Sequence, residues 1–133
     1  MNKLSMVRIE DVRSAWPQVR EGLQKIASKM KVDWIPEDIY LAIVTGSATL
    51  WFSHNAYGDY KGFVVTQKQG ERLFVWAANS TTLAAMDGNN ELAIMAKAQG
   101  YKALRFVSGR KGWWRRAKLY GYKFVEATYE MEL

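Results

Sequence analysis

The densest chemistry in the sequence lies in seven consecutive residues, Arg110-Lys111-Gly112-Trp113-Trp114-Arg115-Arg116. Indole faces stack on bases, and guanidinium and ammonium groups neutralise phosphates, so this mixture suits an anionic polymer. Trp and Arg are also enriched at the energetic centres of protein interfaces. The same residues have a plain structural use, in which one ring of an adjacent pair faces the core and Arg and Lys form a solvated rim. Arg110, Lys111, Trp114, Arg115 and Arg116 are the candidate anion- or partner-binding residues. Trp113 has the small Ala117 as its i+4 neighbour, so it is expected to anchor the helix, with Trp114 more exposed. The surrounding charge supports a partner. Leu92 to Val125 contains no Asp or Glu and nine of the 19 basic residues, while the rest of the chain has ten basic and 13 acidic residues. A basic C-terminal third on a mildly acidic remainder favours an anionic partner.

Other chemistries are excluded by residue type. The chain has no cysteine and one histidine, His54, which removes disulfides, thiolate metal sites, a cysteine nucleophile and a His-rich zinc site. No glycine pattern of a P-loop and no Ser/His pairing of a hydrolase is present. No metal site is expected. Hydrophobic residues make up 49% of 133 and charged residues 24%, ordinary globular usage, so one domain spanning 1–133 is the expected organisation. The first residues lack the apolar core of a signal peptide, and no apolar stretch approaches ~18 residues, so a cytoplasmic protein without a membrane span is expected.

The elements that must position these residues follow from periodicity. Leu4 to Ile9 reads as a short strand. Ile9, Val12, Trp16, Val19, Leu23, Ile26 and Met30 recur at alternating spacings of 3 and 4, the face of a helix, with Pro17 placed in the first turn of its main part. Pro36, Glu37 and Asp38 open a second helix that Gly46 closes. The period then changes to two. Ala48–His54, Lys61–Gln67 and Arg72–Ala78 read as an antiparallel meander with turns at 55–59 and 69–71. A short helical piece at Thr82–Met86, a helix Glu91–Gln99 capped by Asn89 or Asn90, a strand Ala103–Val107, a helix Gly112–Leu119 and a closing strand Lys123–Met131 complete the chain. This order predicts an α+β domain, a mostly antiparallel mixed sheet with helices on both faces.

The order resembles the GNAT (Gcn5-related N-acetyltransferase) fold, most closely from Leu73 to Tyr122. The ending Leu119-Tyr120-Gly121-Tyr122 is similar to the Leu-Tyr-x-x-x-Gly-Phe ending of that superfamily. Gly109-Arg110-Lys111-Gly112-Trp113-Trp114-Arg115 resembles a Gly-Arg-x-Gly-Trp-x-Arg stretch in small GNAT-like proteins of tailed bacteriophages, and Gly46 to Trp51 resembles the start of their meander. The resemblance implies an acetyl-CoA site at the loop and helix that follow the third meander strand. Ala78, Asn79, Gly88, Asn89 and Asn90 are the residues that would contact the cofactor there. The family's phosphate loop is glycine-rich so that backbone N–H groups can approach the pyrophosphate at a helix N-terminus. Here 84–91 holds one glycine and two carboxylates, Asp87 and Glu91. Ala117 stands where many members carry the tyrosine acid, and Tyr120 is rotated roughly 300° from that position. His54 and Glu71 are the candidate bases, both at strand ends or turns.

These departures lead to an expectation of a phage-type GNAT-like protein with a degenerate acetyl-CoA site, serving as a binding or virion-associated protein. No cofactor is expected. A phage or host protein is the expected partner, nucleic acid a further one, and a membrane none. The expected location is the cytoplasm of an infected host cell or the virion. The alternatives are a divergent acetyl-CoA-dependent N-acetyltransferase and a nucleic-acid-binding module using the basic third.

Overall fold

The computed structural model describes residues 3–79, 91–107, 113–126 and 128–133. Among the described residues, five strands and four helices follow in the order β1 (Lys3–Met6), α1 (Ile9–Lys29), α2 (Pro36–Val44), β2 (Thr49–His54), β3 (Tyr60–Gln69), β4 (Arg72–Ala78), α3 (Glu91–Ala98), β5 (Ala103–Phe106) and α4 (Trp113–Leu119). The strands form one sheet in the order β1-β2-β3-β4-β5. The first four are antiparallel and β5 runs parallel to β4, so the α+β reading holds.

Local chemistry explains the boundaries. Asp38 turns its carboxylate back to accept from the Ile35 N–H at 2.9 Å, satisfying a donor that the opening turn of α2 leaves over. In the β2–β3 turn, Asn55 Oδ1 accepts from the N–H groups of Tyr57 and Asp59, and Gly58 takes φ 83°. Arg20 on α1 reaches Glu37 on α2 at 2.9 Å. The Glu37 carboxyl is held below its ordinary range, first by a backbone hydrogen bond and then by Arg20.

The two faces of the sheet bury separate clusters. α1 and α2 cover one face through Val12, Val19, Leu23, Ile39 and Ile43 against Leu50, Phe63, Val65 and Ala77. α3 covers the other through Leu92 and Ala96 against Val64, Leu73, Val75 and Ala78. Gly22 faces the buried Phe63, and a Cβ there would overlap the ring at Cε1. Val12, Trp16, Val19, Leu23 and Ile26 of the helical stripe form the core face, whereas Ile9 is exposed and Met30 lies past the end of α1.

Two expectations are corrected. Pro17 lies well inside α1 rather than in a first turn. It is tolerated because Pro17 and Arg13 both face outward, where the carbonyl that loses its partner meets water. The closing strand Lys123–Met131 is absent among its described residues. Its alternation is real, but a strand also needs a neighbour for its backbone groups. This segment is instead held by side-chain ion pairs, Glu126 to Arg105 at 3.7 Å and Glu130 to Lys31 at 3.2 Å.

Ser53 is fully buried, and among the described residues its hydroxyl has no hydrogen-bond partner. A desolvated, unpaired hydroxyl opposes folding. Ser53→Ala is therefore expected to raise stability by about 1 kcal/mol, read as a higher urea midpoint with unchanged slope.

Candidate functional site

The parallel pair opens at its carboxyl end. Pairing between β4 and β5 ends at Val75 opposite Phe106, while β4 continues against β3 to Ala78 opposite Val64. Trp76, Ala77 and Ala78 thus extend past the last β5 partner and make one arm of a fork. The register between β3 and β4 also shifts, with Thr66 opposite Val75 and Val65 opposite Ala77, so Trp76 is an extra residue. The packing shows the same bulge. Trp76 and Ala77 both pack toward α1 and α2, whereas Val75 and Ala78 pack toward α3. A bulge bends the strand and re-aims its backbone groups. Only small or amide side chains, Ala77, Ala78 and Asn79, finish this arm. Asn79 is half-buried and its N–H donates to the Phe63 carbonyl at 3.3 Å. Ligands of open sheets with parallel strands sit outside the carboxyl ends of those strands, where the crevice opens.

No family model matches the sequence, and no curated protein matches it. Solved structures do match its shape. The ribosomal-protein-alanine N-acetyltransferase from Brucella melitensis is 12% identical with a TM-score of 0.61, covering 100% of both chains. A predicted acetyltransferase from Clostridium acetobutylicum, solved with acetyl-CoA, is 11% identical with a TM-score of 0.59, covering 99% of this chain and 96% of that one. AAC(6')-Iy, solved with a CoA-containing bisubstrate analog, is 12% identical with a TM-score of 0.60, covering 100% of this chain and 98% of that one. The chain has the GNAT acetyltransferase fold. At these identities the likeness carries the fold alone.

Within the GNAT fold the expected site residues separate. Ala78 and Asn79 stand at the fork. Gly88, Asn89 and Asn90, with Asp87, the helical piece at 82–86 and the proposed cap of α3, lie outside the described residues. So do Arg110 and Lys111. Arg115 is exposed on α4, and the side chains of Trp113, Trp114 and Arg116 lie outside what is described. Ala117 is half-buried, as is Tyr120.

Three carboxylate or base assignments change with the topology. Glu91 was read as a negative charge opposing phosphate. Its carboxylate instead accepts from the Leu4 N–H on β1 at 2.8 Å, and β1 lies three strands from β4, roughly 14 Å away. Glu71 sits in the β3–β4 turn at the end of the sheet opposite the fork, paired with Lys102 at 3.3 Å. His54 is at the fork end, but on β2, and strand spacings put it roughly 15 Å from Ala78. Its ring belongs to an aromatic group with Phe52 and Tyr60, whose centroids are 5.0 Å apart. Burial raises the Tyr60 phenol above its ordinary range. Neither candidate base meets the fork.

The sequence reading missed the bulge at Trp76. Its signal was present in the run Val75-Trp76-Ala77-Ala78, which is too continuously apolar for a strand with regular alternation. It also missed a cavity of about 120 Å³ at the far end of the sheet, lined in part by Trp51, Thr66, Lys68, Leu73, Met95 and Tyr101. Trp51 Nε1 donates to Thr66 Oγ1 there at 2.9 Å. Among the described residues no cluster of metal-ligating side chains occurs and no helix is long and apolar enough to cross a membrane.

Proposed function

We propose that this chain is a divergent acetyl-CoA-dependent N-acetyltransferase that takes its cofactor at the fork between β4 and β5. The observation that carries the reading is the geometry of β4, which bulges at Trp76 and runs past its last β5 partner with small side chains. Fold neighbours solved with acetyl-CoA and with a CoA-containing analog point the same way.

Ala78 and Asn79 would hold the cofactor from the β4 arm, and acetyl-CoA would supply the activated acyl group. The chain's contribution there is positioning, which can supply a large part of such a rate enhancement. Ala117 has no proton to give, so no protein acid is assigned to the departing thiolate.

Thermal unfolding with acetyl-CoA at ~1 mM tests the reading. A ligand at 100 times its dissociation constant contributes about 2.7 kcal/mol, roughly 10 °C for a chain of this size. A saturable rise is expected, and a flat titration rules the reading out.

A second reading rests on Ala117 and on the single glycine of 84–91. In it the domain is a phage-type, virion-associated or host-directed binding protein that keeps the fold without the cofactor. Its basic third would then meet a protein or nucleic acid. Replacing Arg110, Lys111, Arg115 and Arg116 with Gln should abolish most heparin or DNA retention and flatten its salt dependence. Retention equal to the parent's makes those residues a solvated rim.

A further inference from the structure

The cavity at the far end of the sheet lies well away from the fork. Along β3, Lys68 at its rim is roughly 13 Å beyond Val64, the partner of Ala78. The cavity measures about 120 Å³ and is bounded by the turn after α2, by β2, β3 and the start of β4, and by the end of α3. Its apolar side is made by Trp51, Leu73 and Met95, which belong to the cluster under α3.

Two donors are left over there. Thr66 is 2% exposed, and its Oγ1 accepts from Trp51 Nε1 at 2.9 Å. That contact uses a lone pair and leaves the hydroxyl hydrogen to donate, and among the described residues it meets no acceptor. A buried donor without an acceptor costs stability that a ligand can restore. The second donor is the Lys68 ammonium, which is exposed at the rim and makes no ion pair among the described residues. Glu71, in the following turn, is engaged by Lys102 at 3.3 Å. Among the described residues no Asp or Glu lines the cavity.

We propose that this cavity binds a small aliphatic monocarboxylate, with its chain against Trp51, Leu73 and Met95 and its carboxylate between Lys68 and the Thr66 hydroxyl. Thr66 and Lys68 are alternate residues of one strand, roughly 7 Å apart, a gap that a lysine side chain spans. Volume sets the chain. A cavity of about 150 Å³ holds one benzene ring, so this one takes a body of about four or five carbons. Charge sets the head. One ammonium and one hydroxyl match a monoanion, whereas a phosphate dianion would bring a second charge with no cation to meet it. An apolar wall with a few convergent polar groups is the usual form of a small-molecule site. The site is independent of any acetyl-CoA binding at the fork.

Isovalerate is the probe, with inorganic phosphate as its comparison. The full chain is prepared with isotope-labelled methionine methyl groups, and the Met95 signal, assigned through Met95→Leu, reads the cavity by NMR. Isovalerate should shift that signal saturably, with a dissociation constant of about 1 mM or below. Lys68→Gln should weaken binding about tenfold and Lys68→Arg should retain it, while Thr66→Val, which keeps the shape and loses the O–H, should weaken it as well. Lys68 is exposed, so its variants still decide the matter if Thr66→Val does not fold. A Met95 signal unmoved at ~50 mM isovalerate overturns the proposal. So does an equal response to phosphate, or binding undiminished in Lys68→Gln.

Discussion

Phe63→Ala should lower the stability of the chain by about 3–5 kcal/mol, the range for truncating a buried aromatic ring. Among the described residues, Phe63 is the largest of the fully buried side chains, and it sits in β3 where α1 crosses the sheet. Gly22 is the reason α1 can come so close. In an exposed helix Gly→Ala gains up to about 1 kcal/mol from helix propensity. Here the new methyl would overlap the ring at Cε1 and stand 3.1 Å from Cζ. A ring locked between a helix and a sheet has little room to move, and overpacking costs about 1–3 kcal/mol, so Gly22→Ala is expected to destabilise. In a Phe63→Leu background the ring is gone and the propensity gain should reappear. Urea unfolding of the four chains gives the coupling directly, and the sign of the Gly22→Ala effect should reverse between backgrounds. If Gly22→Ala stabilises the native chain, the helix does not rest on that ring.

The second large effect concerns the fork. Val107 follows the end of β5 and is 72% exposed, so its substitution should leave folding nearly unchanged. It lies beside the opening into which β4 extends alone. If the fork takes acetyl-CoA as proposed, a carboxylate placed there would repel its phosphates and an ammonium would attract them. Val107→Glu is expected to weaken acetyl-CoA binding about tenfold or more, about 1.4 kcal/mol, and Val107→Lys to hold or tighten it. Calorimetric titration of both variants at low and moderate salt measures the difference, which should shrink as salt rises. Equal affinities for the two would place the cofactor elsewhere on the molecule.

The elements were legible because local rules set them. The 3–4 spacing from Val12 to Ile26 gave a helix face, and that face is the core of α1. Pro36 and Gly46 bounded α2, and the turns at Gly58 and Gly70 take the positive φ that glycine favours. The resemblance carried by the run from Leu73 to Tyr122 led to the GNAT fold, which solved structures of 11–12% identity share.

Positions across strands were not legible, because they depend on which segments pair and in what register. A carboxylate five residues after Met86 looked like an obstacle to phosphate, yet its reach to Leu4 spans 87 residues of sequence. Glu71 and His54 looked equivalent as bases until the sheet put them at opposite ends. The strand pattern of Lys123–Met131 was a property of the segment alone, whereas a strand is a property of a pair.

Helix faces, turns and element order come from interactions within a few residues, and the sequence by itself determined them. The fork, its bulge at Trp76 and the withdrawal of Glu91 were decided only in three dimensions. Each arises where backbone or side-chain groups far apart in the chain compete for the same partner, and only the folded topology determines which of them obtains it.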